Sequence, residues 1–252
     1  MNIAVISGAS SGMGREFVVQ LDKQQNFDEI WVIARRKERL QELATLTKAK
    51  IRPIALDLTS NESIAEYAKM LEDEKPNVKV LVNASGFGKF GTFTDMKLDD
   101  LYSMVDLNSR SLVGMTYVTL PFMKEGSCIY QVDSLSSFQP VPYIATYGAT
   151  KAFVLSFSRA LNVELKKRGI KVMAVCPGWV KTEFFDRAVY DDTIVYYNKF
   201  FTADEVITRA LRDMKKGKDV SICGASVRGQ VFLTKLLPHK LIMKIWCKQQ
   251  KK

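Results

Sequence analysis

The sequence predicts one α/β domain, a doubly wound sheet of about seven parallel strands with helices on both faces, and three observations carry that prediction. Apolar runs of strand length alternate with amphipathic segments of helix length from the first residue to about 224. The runs are apolar throughout rather than every second residue, the pattern of strands covered on both faces. No linker, low-complexity segment or repeat interrupts them, and 252 residues with 47% hydrophobic content suffice for one large core.

In chain order the strands are IAVIS, EIWVIA, IRPIALD, VKVLVNAS, SCIYQVDS, KVMAVCPG and DVSICG. Each is rich in Val and Ile and bounded by turn residues. Between them stand GREFVVQLDKQQ, RKERLQELATLTK, SIAEYAKMLEDE, LYSMVDLNSRSLVGMTYVTLPFMK and AFVLSFSRALNVELKKRG, whose apolar residues recur at helical spacing. The segment at 183–202, dense in aromatic residues, breaks this order. Residues 1–224 are therefore read as the domain and 225–252 as a basic amphipathic extension.

Composition removes whole classes of chemistry. The one histidine, His239, follows Pro238 in the basic tail and is read as a surface residue, so a Ser-His-Asp triad or a multi-histidine metal site is not expected. Cys128, Cys176, Cys223 and Cys247 form no CxxC pair and read as free thiols, mostly buried, with no metal bound. Proton chemistry is left to Tyr, Lys, Asp or Glu. The chain opens on MNIAVI, with no basic region or signal-length apolar stretch, and a cytoplasmic protein is expected.

The first turn, SGASSGMGRE, places Gly8, Gly12 and Gly14 between a strand and a helix. At that place in a doubly wound, Rossmann-like sheet an anion can rest on free N–H groups at the positive end of the helix. Gly8 permits the tight turn, and Gly12 and Gly14 let backbone approach a pyrophosphate. Further along, Tyr147 and Lys151 in YGATK are four residues apart and share one helix face. An ammonium a few ångströms from a phenol favours the phenolate, which predicts a lowered tyrosine pKa suited to general acid–base work.

The spacing G-x-x-x-G-x-G resembles the glycine turn of the short-chain dehydrogenase/reductase family, and further marks of that family follow in its order. VNASG resembles its N-N-A-G motif, departing at Val82 and Ser85. DLNSRS carries Asn108, VDSLSS carries Ser134, YGATK carries Tyr147 and Lys151, and PGWVKT follows the sixth strand. The resemblance covers residues 1 to about 224. It implies a nicotinamide-dependent oxidoreductase with Ser134, Tyr147, Lys151 and Asn108 as catalytic residues. Ser134 would bind the substrate oxygen, with Ser136 and Ser137 as nearby rivals. Asn108 would bend its helix and hold a water linking Lys151 to solvent.

The resemblance also implies a cofactor site. Ser10, Ser11 and Met13 would join the glycines in the turn, and Asn83, Ala84, Ser85 and Gly86 would border the adenosine side. Tyr147, Lys151, Pro177, Gly178, Val180 and Thr182 would also bind the cofactor. The second strand ends in Ala34 followed by Arg35 and Arg36, where an NAD-preferring member would carry an acid. Guanidinium groups favour a 2′-phosphate, so NADP(H) is expected. Asp57 and Leu58 would touch the adenine edge, although Asp57 also reads as a cap on the following helix.

Aromatic residues Phe87, Tyr143, Trp179, Phe184 and Phe185 suggest an apolar pocket for a bulky or lipophilic carbonyl or alcohol. From 225 to 252 the chain carries seven Lys/Arg and no acid, against a net charge of +10. On a helical wheel Lys240, Lys244 and Lys248 fall in one arc and Leu241, Ile242, Ile245 and Trp246 in another. Two readings stand side by side: peripheral contact with an anionic membrane, or packing on the domain or on a sister subunit of a homodimer or homotetramer. No nucleic-acid motif accompanies the charge. Beside the enzyme stand two rival readings, a dinucleotide-binding scaffold or sensor and a membrane-attached interaction module.

Overall fold

In the computed structural model, which describes residues 1–189 and 191–252, seven strands form one parallel sheet. They are β1 (Asn2–Ser7), β2 (Glu29–Ala34), β3 (Lys50–Ala55), β4 (Asn77–Asn83), β5 (Cys128–Val132), β6 (Lys171–Val175) and, last in the chain, β9 (Val220–Ser221), in spatial order β3-β2-β1-β4-β5-β6-β9. Two two-residue strands, β7 (Trp179–Val180) and β8 (Phe200–Phe201), pair with each other outside the sheet. The fold is the predicted Rossmann-like α/β fold. Strand order reverses at β1, which pairs with both β2 and β4. A cleft therefore opens beyond the carboxyl ends of these strands, where the connections leave to opposite faces.

Ten α-helices cover the sheet among the described residues: α1 (Gly12–Gln24), α2 (Lys37–Gln41), α3 (Asn61–Glu74), α4 (Leu98–Val105), α5 (Ser111–Thr119), α6 (Ala145–Glu164), α7 (Phe184–Ala188), α8 (Ala203–Lys215), α9 (Ala225–Leu236) and α10 (His239–Gln249). Strand residues of alternate parity feed two cores. On one face Ile6 and Val32 pack with Phe17, Val18 and Leu21 of α1 and Ile207 and Leu211 of α8. On the other, Val5, Trp31 and Leu81 pack with Tyr67 and Leu71 of α3, Met115 of α5 and Leu161 of α6.

The stretch read as one helix from Leu101 to Lys124 is divided. A π-helical turn, Asp106–Arg110, separates α4 from α5, and a 3-10 turn over Leu120–Phe122 ends it at Pro121. The extra residue of a π turn re-aims one side chain inward. Here that side chain is Asn108, 1% exposed.

Residues 225–252 fold back on the domain as α9 and α10. Val227, Val231 and Ile242 are buried, and the Trp246 Nε1–H donates to the Pro142 carbonyl at 3.0 Å. The Gln250 side chain accepts from the Val195 and Tyr196 amides at 2.9 and 3.0 Å, which fastens the aromatic-rich segment. Part of the apolar arc, Ile242 and Trp246, is thus turned inward, whereas Leu241 and Ile245 remain exposed beside the exposed lysines 240, 244 and 248. No described helix is long and apolar enough to cross a membrane.

Candidate active site

The glycine turn follows β1 because the chain must reverse within a few residues to lay α1 back on the sheet. Gly8 sits at φ +68°, and a Cβ there would stand 2.6 Å from the Ala84 carbonyl. At Gly14 a Cβ would meet the Gly8 carbonyl oxygen at 2.3 Å, so the first turn of α1 lies directly on the loop. That turn carries no acidic side chain, and Ser11 at its head makes no capping bond with its own helix. The first N–H groups of α1 thus have no acid on their own helix, and the nearby carboxylate is Glu183, which interacts with Ser11.

The cleft encloses about 650 Å³. Along it lie all six predicted residues of the turn, Arg35 and Arg36 after β2, Asp57 and Leu58 after β3, Ala84 to Gly86 after β4, and Thr182. Two expected cofactor residues line neither this cleft nor the cavity beside it: Lys151, which is buried, and Asn83. The Asn83 side-chain amide donates to Thr116 Oγ1 at 3.0 Å and Gln131 Oε1 at 2.9 Å beneath the cleft, so it braces the sheet instead of lining the site. Asp57 does not cap α3, since Ser60 does that by accepting from the Ser63 amide. Asp57 accepts from the Thr59 amide and hydroxyl and faces Arg35 at 3.9 Å. Burial pushes its carboxyl up, but those donors and Arg35 outweigh burial and hold it below the ordinary value.

Arg36 has partners that the sequence did not announce. Its Nη2 donates to Ser10 Oγ at 3.2 Å and to Glu183 Oε2 at 2.9 Å. Glu183 lies just before α7 and also lines the cleft. Its carboxyl is held below the usual range, chiefly by the Arg36 bond.

A second cavity of about 300 Å³ adjoins the first. Met13, Thr182 and Phe184 line both, so Phe184 is part of the wall between them. Ser134 and Tyr147 face this cavity together with Pro177, Gly178 and Val180. The tail supplies a largely apolar part of its lining, Leu233, Leu237, Ile242, Ile245 and Trp246, with Gln230, Thr234 and Gln249 among them. Trp179, Phe184 and Phe185 line it as expected, Phe87 lines the cleft instead, and Tyr143 lines neither. Within the aromatic segment, Tyr190 lies outside the described residues.

The catalytic candidates converge from β5, the π turn and α6. Ser134 heads a 3-10 turn, Leu135–Phe138, and its hydroxyl accepts from the Ser136 amide at 3.2 Å. Of the rival serines, Ser136 lines the cavity while Ser137 donates back to the Ser134 carbonyl. The Tyr147 hydroxyl interacts with Ser134. Lys151, buried, donates from Nζ to the Val132 carbonyl at 2.8 Å, and that ammonium stands 5.7 Å from the centre of the Tyr147 ring.

This geometry corrects the expected pKa of the pair. Burial pushes the Tyr147 phenol well above its ordinary value, with Asp133 adding to the rise and only the Ser134 bond opposing it. Burial pushes Lys151 down, and Asp133 partly restores it. Removing both groups from water disfavours each charged form more than a cation at this distance returns.

Asn108 stands in the π-helical turn that interrupts its helix. Its Oδ1 accepts from the Phe87 amide at 3.0 Å, and its Nδ2 donates to the Phe87 carbonyl at 2.9 Å and to Thr150 Oγ1 at 3.1 Å. The amide thus ties the loop after β4 to α6, the helix that carries Tyr147 and Lys151.

The family model described as short chain dehydrogenase matches residues 2–192. The chain is 30% identical over 182 residues, 71% of its length and 78% of the relative, to an uncharacterised oxidoreductase of Staphylococcus epidermidis. Among solved structures, a short-chain dehydrogenase from Sphingobium yanoikuyae in complex with NADPH is similar at TM-score 0.78 and 27% identity, over 88% of this chain and 87% of that one. The bulky-bulky ketone specific alcohol dehydrogenase from Comamonas testosteroni is similar at TM-score 0.74 and 25% identity, over 94% and 92% of the two chains. The matched motifs, the strand order and the meeting of Ser134, Tyr147 and Lys151 beside a glycine-lined cleft have one source: the chain belongs to the short-chain dehydrogenase/reductase family of oxidoreductases.

Proposed function

We propose that this protein is an NADP(H)-dependent oxidoreductase acting on a bulky or lipophilic ketone or the matching secondary alcohol, with Tyr147 as general acid/base. The observation that carries the reading is the place of the Ser134 and Tyr147 side chains, on the wall of an apolar cavity that shares Met13, Thr182 and Phe184 with the glycine-lined cleft. A bound nicotinamide would supply or accept the hydride. The cradle fits such a group: two of its glycines have no room for a Cβ, and the first N–H groups of α1 and two arginines face the place of its phosphates.

The protein's own part is to hold and move one proton. The Ser134 hydroxyl orients the substrate oxygen beside the Tyr147 hydroxyl, and in reduction the phenol gives its proton to that oxygen as the alkoxide forms. A raised phenol pKa suits this direction, because the proton stays on Tyr147 at neutral pH until an alkoxide, a stronger base, is present. Lys151 anchors the site through the Val132 carbonyl and supplies a buried positive charge as the phenolate appears. The apolar tail wall accounts for the bulky substrate, and it agrees in kind with the substrate in the name of the Comamonas relative.

Purified protein assayed with NADPH against a panel of aliphatic, aromatic and polycyclic ketones tests the reading by loss of nicotinamide absorbance. Turnover of bulky members is expected. Absence of turnover in both directions across the panel would overturn it.

Assembly and location follow as parts of the same proposal. Tyr102 and Val105 on α4, Tyr117 on α5 and Phe153 and Val163 on α6 are exposed, an apolar set suited to a homodimer or homotetramer. Phe232, Leu236, Leu241 and Ile245 on α9 and α10 stand exposed among lysines and suit peripheral membrane contact of a cytoplasmic protein.

A further inference from the structure

We propose that Asp133 is a positioning residue whose charge governs the proton on Tyr147: at the end of β5 its carboxyl shares one buried cluster with the Cys176 thiol and the Lys151 ammonium. The inference rests on the reading of Tyr147 as general acid/base and adds the group that tunes it.

Asp133 is 2% exposed, and so is almost wholly removed from water. Its Oδ2 accepts from Cys176 Sγ at 3.2 Å, and its Oδ1 has no hydrogen-bond partner among the described residues. The groups that face it come from every neighbouring element. Lys151 and Tyr147 come from α6, Cys176 from the end of β6, and the Ser137 hydroxyl and Ser134 amide from the turn that follows. Lys151 is the one charged partner in the set, and its Nζ is held on the Val132 carbonyl, one residue before Asp133.

The electrostatics of the cluster run in one direction. Burial raises the Asp133 carboxyl to about 7, against the lowering pull of Lys151, so its charge changes near neutral pH. Once ionised, it holds the proton on Tyr147, and it also favours the charged form of Lys151. Protonation of Asp133 relieves both effects and makes the phenolate easier to form. One proton gained or lost at this carboxyl therefore changes how readily Tyr147 releases its own, on top of the larger effect of burial, which keeps the phenol protonated in either state.

Carbon-13 NMR of protein labelled at aspartate Cγ reads the carboxyl itself, without substrate. One resonance, absent in Asp133→Asn, is expected to titrate near pH 7. It should move to higher pH in Lys151→Met, which removes the ammonium, and in Cys176→Ala, which removes the thiol donor. The pH profile of carbonyl reduction should show a limb near the same pH in the parent and lose it in Asp133→Asn. A resonance that titrates as an ordinary carboxyl, below about pH 5, or superimposable profiles in parent and Asp133→Asn, would overturn the proposal. If Asp133→Asn does not fold, the shared response of one near-neutral resonance to Lys151→Met and Cys176→Ala decides it, and no such resonance refutes it. A parent that turns over no carbonyl would remove the assigned function, while the NMR titration still decides whether the cluster holds a proton.

Discussion

Arg36 and Glu183 join across the mouth of the glycine-lined cleft, Nη2 to Oε2 at 2.9 Å, although 147 residues separate them. The same guanidinium donates to Ser10 in the glycine turn. A 2′-phosphate drawn to Arg36 must compete with that carboxylate. Both side chains are about two-fifths exposed, so the pair itself adds little stability. Glu183→Gln is therefore expected to tighten NADPH severalfold with NADH unchanged and the melting temperature near that of the parent. Cofactor fluorescence titration of the variant checks it, and tightening of both cofactors alike would contradict it.

Arg35 faces Asp57 only at 3.9 Å and is more than half exposed, so it is the freer of the two guanidiniums to meet a phosphate. Replacing Arg35 with Gln should weaken NADPH by about 1 to 3 kcal/mol, the scale of a charge-assisted contact, and leave NADH nearly as it was. Equal affinity of the parent for the two cofactors would end the expectation of NADP(H) preference.

Tyr147→Phe removes one hydroxyl whose neighbours are Ser134 and, behind it, Asp133. The ring contacts with Phe90 and Phe184 survive, since they belong to the carbon frame. Turnover should fall by about a hundredfold to ten-thousandfold, the range for a lost general acid, with cofactor affinity little changed. Substantial activity in the variant would refute the proton assignment.

The fold was legible because its cause is local and repeated. Apolar runs such as IAVIS and VKVLVN specify strands buried on both faces whatever their partners, and the G-x-x-x-G-x-G turn identifies the strand at which the order reverses. Tyr147 and Lys151 were legible for the same reason, being one helical turn apart. Glu183 and Asp133 were not. The first matters through Arg36, 147 residues away, and the second through Cys176, 43 residues away on the neighbouring strand end, and such meetings are set by the tertiary fold. The one available signal was an acid, Asp133, closing an otherwise uncharged strand, SCIYQV. The pKa of Tyr147 was misjudged because spacing reports the neighbour and not the burial.

Asn108 should prove structural as well as catalytic in effect. Its amide satisfies both the N–H and the carbonyl of Phe87 and also reaches Thr150, so Asn108→Leu leaves three polar groups without that partner. A loss of about 1 to 3 kcal/mol or more is expected, with KM rising as the loop after β4 loosens. Urea denaturation and steady-state kinetics on one preparation check it. An unchanged midpoint would show that the link carries no load.

Asp133 gives stability a pH dependence of predictable sign. Its carboxyl titrates at about 7 in the folded chain, against about 3.9 in an unfolded one. Between those values the native state binds more protons than the unfolded state, so this contribution is fully present below about pH 4 and is lost as pH rises through 7. Asp133→Asn has no such loss. Its stability relative to the parent should therefore grow with pH by up to about 1.4 kcal/mol per unit across the window and level off above it. Urea midpoints for both proteins at several pH values from 4.5 to 8.5 measure the difference, and a flat difference would place the carboxyl in an ordinary environment.

The tail sets two surfaces against each other in a test that one experiment can read. Trp246 packs inward with its indole N–H on the Pro142 carbonyl and also lines the apolar cavity, whereas Phe232 and Leu236 are 61% and 64% exposed. Trp246→Glu buries a charge beside apolar side chains and leaves that carbonyl unpaired. It should lower stability by about 2 to 4 kcal/mol and disturb the substrate cavity. Leu236→Glu should leave the melting temperature almost unmoved, since its side chain already meets water. If the exposed residues and their lysines meet a bilayer, the parent should sediment with anionic vesicles better than with neutral ones. Binding should weaken as salt screens the lysines within about a Debye length and fall further in Leu236→Glu. If they meet a sister subunit instead, Leu236→Glu should shift the protein to a smaller species on size-exclusion chromatography and vesicles should make no difference. Failure of the parent to sediment with anionic vesicles at any salt concentration ends the membrane reading and leaves α9 and α10 as the apolar wall of the substrate cavity.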